Sequence, residues 1–370
     1  MPASKTAWGH RAALLNALSF AVAFSCTASA FAEVKVIETD NTYIPGKNES
    51  TSDARRIAVQ ESKRKALEQA GTYVGSLAAV KRYQLTKDDI RIYTTGVLQT
   101  EVLSEQARGT SDHPAIYVRI KSSINIDDLT AQIVSYRKYE VLDDQLRASY
   151  RETDDLKKER DKLVRRLANQ DGDPAEETRK KLDGVLSREE ANDETNTVWA
   201  TFGNKLEAGD ETSLEVQQAD FDKAIVVLEH AVKVNPQNQR AHYLLASVYQ
   251  KNGNPAAAEN QLRIAIKSQP SNPATHMKLG IFLRESGRYQ EALKEFHFVE
   301  RLRPHYLPAV FFVGMTFKDM DKCGKAVQNL NRFLKDKQVD RYPRKKEAAA
   351  RAVEECGGAR PGRQQHLRQG

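Results

Sequence analysis

Three prolines, Pro236, Pro270 and Pro304, stand 34 residues apart, and other positions repeat with them. Before Pro270 come Leu245-Ala246, Tyr249, Gly253, Ala258, Leu262 and Ala265. At the same offsets before Pro304 come Leu279-Gly280, Leu283, Gly287, Ala292, Phe296 and Val299. A third copy, Val313-Gly314, Phe317, Asp321, Ala326, Leu330 and Phe333, lacks only the turn glycine and the proline. Self-similarity at this period marks a stacked array. One unit cannot bury its apolar face alone, so neighbouring units must share a continuous core.

The pattern resembles the tetratricopeptide repeat, whose 34-residue helix–turn–helix unit follows W-x2-L-G-x2-Y, then Ala, Phe, Ala and Pro. On that resemblance Ala246, Gly280 and Gly314 are the small residues at which the two helices of a unit cross. Gly253 and Gly287 lie where the chain leaves helical geometry between them. An earlier copy is split. Phe221, Ala224, Leu228, Ala231 and Pro236 give its second helix, while Trp199, Phe202-Gly203 and Leu206 fit a first helix near 196–208. An insertion at 209–218 separates the two. Four repeats are therefore expected over 196–336, closed by a capping helix at 337–356 that starts at Pro343-Arg344-Lys345-Lys346. Cys323 would begin the last repeat's second helix and Cys356 would end the cap. Antiparallel neighbours bring those ends together, so a disulfide is expected, with two unpaired thiols as the alternative.

The resemblance also implies a concave groove lined by the first helices. It places Tyr243, Met277 and Phe311 there, then Ser247, Ile281 and Met315 one turn on, with Gln250, Arg284 and Lys318 near the rim. An apolar, aromatic floor with basic edges suits a protein or peptide partner with hydrophobic anchors and acidic flanks. The alternative is that these side chains only pack between helices, or bury against the helix of residues 127–168. The Lys/Asn arrangement that clamps a C-terminal carboxylate in chaperone-binding repeats is absent, since Tyr243 and Ser247 hold its places.

Residues 33–126 read as a small α+β unit of order β-α-β-β. Val34 to Ile37 starts a strand, and Ser52 or Asp53 can cap a helix carrying Ile57, Ala58, Ala66, Leu67, Ala70 and Val74 on one face. Strands are expected at Val97–Leu103 and at Ala115–Ile126. In the second, Ile116, Val118, Ile120, Ile124 and Ile126 keep one register, which is a half-buried strand. From Ser52 through Ala58, Ala66 and Ala70-Gly71 to Thr95-Gly96-Val97, this segment resembles the N-terminal domain of flagellar assembly protein T and related bacterial envelope lipoproteins.

Residues 127–195 read as a charged helical linker. The 42 residues from Asp127, a cap candidate, to Ala168 contain no Gly or Pro. A continuous helix of that length would run ~63 Å at 1.5 Å per residue. Twelve of the 18 residues from Arg151 to Ala168 are charged, and Tyr139, Leu142, Leu146, Leu156, Leu163 and Leu167 form only a thin seam. A solvated connecting helix is expected; a coiled-coil dimer through this seam is the alternative. A second charged helix follows over Ala175–Glu190.

The N-terminus reads as a secretory signal, with Lys5 and Arg11 before an apolar run and Ala30-Phe31-Ala32 as the cleavage site. An uncleaved anchor, or lipidation at Cys26, are the alternatives. Cleavage after Ala32 implies a periplasmic or otherwise exported protein. It also bears on the formal charge of +7. Residues 33–336 carry 46 cations and 46 anions, while residues 337–370 carry nine and four. The basicity thus belongs to the signal and to a cap with a disordered basic tail at 357–370, which argues against a nucleic-acid surface. A peripheral contact of that tail with the envelope remains open. The chain has no phosphate-binding glycine loop, no G-x-S-x-G and no H-E-x-x-H. His242 and His276 hold equivalent repeat positions and are expected to be structural, so neither a metal nor a cofactor is implied. The expected protein is a mostly α, non-catalytic, exported binding scaffold of the bacterial cell envelope. A structural accessory subunit of an envelope machine, such as the flagellar basal body, is the alternative.

Overall fold

The computed structural model describes residues 33–110, 114–130, 133, 140–199 and 218–358. The signal segment, most of the 209–218 insertion, the first-helix residues Phe202 to Leu206 and nearly all of the basic tail lie outside them.

The N-terminal unit is an antiparallel sheet backed by one long helix. Strands β1 (Val34–Tyr43), β2 (Gln99–Gly109) and β3 (Pro114–Asn125) pair in the order β1-β3-β2, so the last strand is central. The even positions of β3 face inward: Val118, Ile120 and Ile124 are fully buried. Val118 and Ile120 cluster with Ala54, Ala58 and Ala66 of α1 (Thr51–Ser76), and Ile124 joins the core that holds Ala70 and Val74. Alanine there lets the helix lie close to the sheet, because no long side chain holds the layers apart. The cap of α1 is Ser50, whose Oγ accepts from the Asp53 N–H at 3.0 Å, rather than Ser52 or Asp53. Two short helices, α2 (Ala78–Lys81) and α3 (Lys87–Thr95), connect α1 to β2. Strand β2 is longer than the apolar run suggests, and most of it is exposed.

Residues 126–130 are helical after β3. Their cap is Asn125, whose Oδ1 accepts from the N–H groups of Asp127 and Asp128 at 2.9 and 3.1 Å, rather than Asp127. The charged region is not a lone connecting helix. α4 (Glu140–Leu167) and α5 (Asp173–Val198) form a hairpin that turns at Gly172, where φ is +69° and Pro174 restarts the helix. The leucine seam is closed inside the chain: Leu156, Leu163 and Leu167 pack with Leu182, Val185 and Leu186 of α5 and Ile57 of α1. The charged face of the hairpin is fastened to the N-terminal unit. Arg56 pairs with Asp183 at 2.6 Å and Glu190 at 2.7 Å, Lys63 with Asp193 at 2.6 Å, and Arg147 with Asp89 at 2.6 Å. What composition presents as a solvated linker is a packed layer joining both ends of the molecule.

The array follows as helix pairs. α5 packs on α6 (Gln218–Val234). The edge at residue 195 expected from sequence falls inside α5. Then come α7 (Gln239–Lys251) with α8 (Pro255–Ser268), α9 (Pro273–Glu285) with α10 (Tyr289–Leu302), and α11 (Leu307–Asp319) with α12 (Cys323–Leu334). A cap helix, α13 (Pro343–Gly358), covers the last pair. The turn glycines Gly253 and Gly287 have φ of +76° and +75°, and Asp321 takes φ +57° at the equivalent third position. Asp is among the few residues that tolerate this left-handed geometry, so the missing glycine does not break the repeat. At the crossings, a Cβ on Gly280 would lie 2.5 Å from Phe296 Cε1, and one on Gly314 would lie 2.6 Å from Leu330 Cδ2.

Candidate functional site

The residues expected to line a groove lie on α7, α9 and α11. Each helix is fixed by its own pair and by local polar anchors. Asn238 and Asn272 cap α7 and α9 by accepting from Ala241 and Ala274 N–H groups. His242 and His276 occupy equivalent positions and tie loop to second helix. His276 Nε2 lies 2.9 Å from the Pro270 carbonyl, and its Nδ1 lies 2.6 Å from Glu295 Oε2. His242 meets the Pro236 carbonyl and Gln261 in the same way.

The groove residues expected from the repeat divide into three sets. Tyr243, Ser247, Met277 and Phe311 are buried, at 3%, 2%, 4% and 6% exposure. Part of the cause is the hairpin, whose α4 packs against α9 and whose Leu146 and Tyr150 join the same core as Tyr243 and Met277. Phe311 sits at the other end, with Phe312 and Phe333 ring centroids 5.2 and 5.4 Å away. Ile281 and Met315 are half-buried, so part of their apolar surface meets solvent.

The rim residues are each matched to an acceptor on the next layer. Gln250 Nε2 donates to Glu285 Oε2 at 2.7 Å, Arg284 pairs with Asp319 at 2.6 Å, and Lys318 pairs with Glu355 of the cap at 2.5 Å. Lys318 holds the Glu355 carboxyl below its ordinary range. This ladder runs along the edge of the array, from α7 to the cap. It places an acid beside each rim residue expected from sequence, so the edge is mixed rather than simply basic. Sequence reading missed Glu285, Asp319 and Glu355, although the first two stand 35 residues after Gln250 and Arg284 and could be found by that offset.

The array is joined to the hairpin by a buried polar seam that no motif announces. Asn238 Nδ2 donates to Asn192 Oδ1 at 2.6 Å and Arg240 Nη1 to Asn196 Oδ1 at 2.8 Å, while within the array Gln239 Nε2 donates to Thr275 Oγ1 at 3.0 Å. The Arg240 guanidinium also covers the Trp199 ring at 4.7 Å. Asn235 donates to Glu152 at 2.7 Å, and burial raises the Glu152 carboxyl. These bonds favour one register between hairpin and array, because a slip would break them in a buried setting. At the far end Cys323 and Cys356 are joined in a disulfide with Cα atoms 5.1 Å apart. It pins α13, through Ala349 and Ala352, over Leu330 and Phe333 of α12.

Among the described residues no cluster of His, Cys, Asp and Glu has the grouping a metal ion needs, and no helix is long and apolar enough to cross a membrane.

Comparison with known proteins agrees with the repeat. A family model described as a tetratricopeptide repeat matches residues 215–280. The type IV pilus assembly protein PilF of Pseudomonas aeruginosa is 34% identical over 77 residues, which is 21% of this chain and 31% of that protein. The chain thus spans about a third of the length of this curated relative. Among solved structures, YrrB, described as a TPR protein with an unusual peptide-binding site, is 20% identical. The match covers 52% of this chain and 84% of that one, with a TM-score of 0.36. A structure of Pseudomonas aeruginosa PilF is 23% identical over 48% of this chain and 79% of its own, with a TM-score of 0.34. The family match over residues 215–280, continued by the 34-residue helix pairs beyond it, shows that this chain carries tetratricopeptide repeats.

Proposed function

We propose that this chain is an exported, non-catalytic scaffold of the bacterial cell envelope that docks a protein or peptide partner on its repeat array. The observation that carries this reading is the half-buried pair Ile281 and Met315, one helical layer apart on α9 and α11. They offer apolar surface on a preformed, disulfide-capped frame, and a frame ordered beforehand lowers the entropy cost of binding. The rim ladder presents both signs of charge, which favours a partner segment with its own mixed charges over a purely acidic one. The secretory character of residues 1–32 and the partial likeness to a pilus assembly protein support an envelope location.

The test is co-purification from the source cell with wild type and with the double variant Ile281→Glu/Met315→Glu. We expect loss of the co-purifying partner with an unchanged melting temperature, because both side chains are already part-solvated. Undiminished capture by the folded double variant refutes this docking surface. Replacing Tyr243, Met277 and Phe311 is not a usable test. Truncating buried side chains of that size costs ~2–5 kcal/mol each and would report on folding.

A further inference from the structure

A cleft of about 150 Å³ lies where α1 and α3 of the N-terminal unit face α4 and α5 of the hairpin. Most charges around it are satisfied. Arg160 is 2% exposed and reaches Glu61 at 2.6 Å and Asp161 at 3.0 Å, with Glu189 beyond at 3.3 Å. Lys63 is held by Asp193, Arg64 by Glu61 and Glu68, and Asp154 by Lys158 at 2.7 Å.

Two cations differ: Arg91 of α3 and the half-exposed Lys157 of α4 line the cleft, and among the described residues neither side chain has a carboxylate or a hydrogen-bond acceptor. Arg91 Nε is shut off from solvent without a partner, and its guanidinium meets only the Tyr150 ring, 5.8 Å away. A buried N–H of a charged group left unpaired is expensive, and it stays paired in almost every folded protein. Beside the two cations the wall is apolar, from Leu67, Leu98 and the Tyr150 ring. A fork-shaped guanidinium and a point-like ammonium over an apolar wall match a carboxylate carried on a short hydrocarbon body. Inorganic phosphate would meet the cations and leave the wall unused.

We propose that this cleft is a binding site for a small organic carboxylate, its anionic end held by Arg91 and Lys157 and its apolar end by Leu67, Leu98 and Tyr150. The site is independent of the array groove, and either assignment can fail without the other. A ligand here bridges the N-terminal unit and the hairpin, so binding also stabilises the junction by mass action.

The experiment is calorimetric titration of the full mature chain with hexanoate, with hexanamide and inorganic phosphate as controls. For a ligand of this size we expect hexanoate to bind with a Kd of roughly 0.1–1 mM. Hexanamide and phosphate should bind at least tenfold more weakly, and hexanoate should raise the melting temperature. Arg91→Gln and Lys157→Gln should each weaken hexanoate at least tenfold without lowering the ligand-free melting temperature, since neither side chain holds an ion pair. No hexanoate binding at 10 mM overturns the proposal, as does equal affinity for hexanamide or phosphate. Hexanoate affinity unchanged in both variants places any binding elsewhere and overturns it too.

Discussion

Replacing Gly280 by alanine tests the repeat packing at one atom. The added Cβ would lie 2.5, 2.8 and 3.0 Å from Cε1, Cδ1 and Cζ of Phe296. Carbon contacts are comfortable at about 3.5–4.0 Å, so the ring must retreat by ~1 Å. It has nowhere to go: Phe296 is fully buried, with the Phe312 ring centroid 5.4 Å away. Overpacking of this kind costs ~1–3 kcal/mol, against a helix-propensity gain of up to ~1 kcal/mol from replacing glycine. The expected net is a loss of about 1–2 kcal/mol. Gly184 supplies the control, being an exposed glycine within α5 whose Cβ would meet nothing within 4 Å. Gly184→Ala should therefore gain ~0.5–1 kcal/mol. Urea denaturation followed by circular dichroism reads both. Adding Phe296→Leu to Gly280→Ala should recover part of the loss as a coupling between the two positions. A Gly280→Ala protein as stable as Gly184→Ala would refute the close-crossing account of the repeat.

Three further outcomes follow from single observations. Asp321→Gly should raise stability in a thermal melt by at most ~1 kcal/mol, because it removes a left-handed non-glycine residue; a clear loss would mean that the aspartate side chain holds the turn. Cys323→Ser/Cys356→Ser opens a loop of sequence separation 33, so it should lower stability by roughly 4 kcal/mol on the loop-entropy scale, and a reductant should reproduce the effect in wild type. Burial pushes the Glu189 carboxyl up to about 7, since Arg160 divides its charge among three carboxylates. The folded form then binds more protons than the unfolded chain between the ordinary glutamate range and about pH 7. Stability from this group is present at low pH and lost as pH rises through about 7. Urea titrations at several pH values should show Glu189→Gln removing that loss, by up to about 3 kcal/mol; parallel pH curves would contradict it.

Much of the array was legible because its physics is periodic. Gly253 and Gly287 announce positive φ, Gly280 and Gly314 announce crossings, and the ends of antiparallel helices place Cys323 beside Cys356. The alternation of β3 likewise fixed its buried face. The hairpin was not legible. Leu156, Leu163 and Leu167 are too sparse to declare a partner, and the helix that covers them is itself charged, so composition alone suggests solvent on all sides. Burial there depends on ion pairs across more than 120 residues, such as Arg56 with Glu190, which leave no local pattern. The same limit explains the groove. Repeat position marks Tyr243 and Met277 as groove candidates, but only the tertiary structure shows α4 packed against α9 and both side chains buried.

α4 packs on α9, while Met315 on the next first helix, α11, stays half-buried, so the proposed docking surface is best probed there. A photo-activated crosslinker placed at Met315, and in a control at the exposed Lys294 on α10, tests it in the living cell. The account predicts one partner adduct from position 315, lost on adding Ile281→Glu, and none from position 294. Equal adducts from both positions, or an adduct at 315 indifferent to Ile281→Glu, would contradict it.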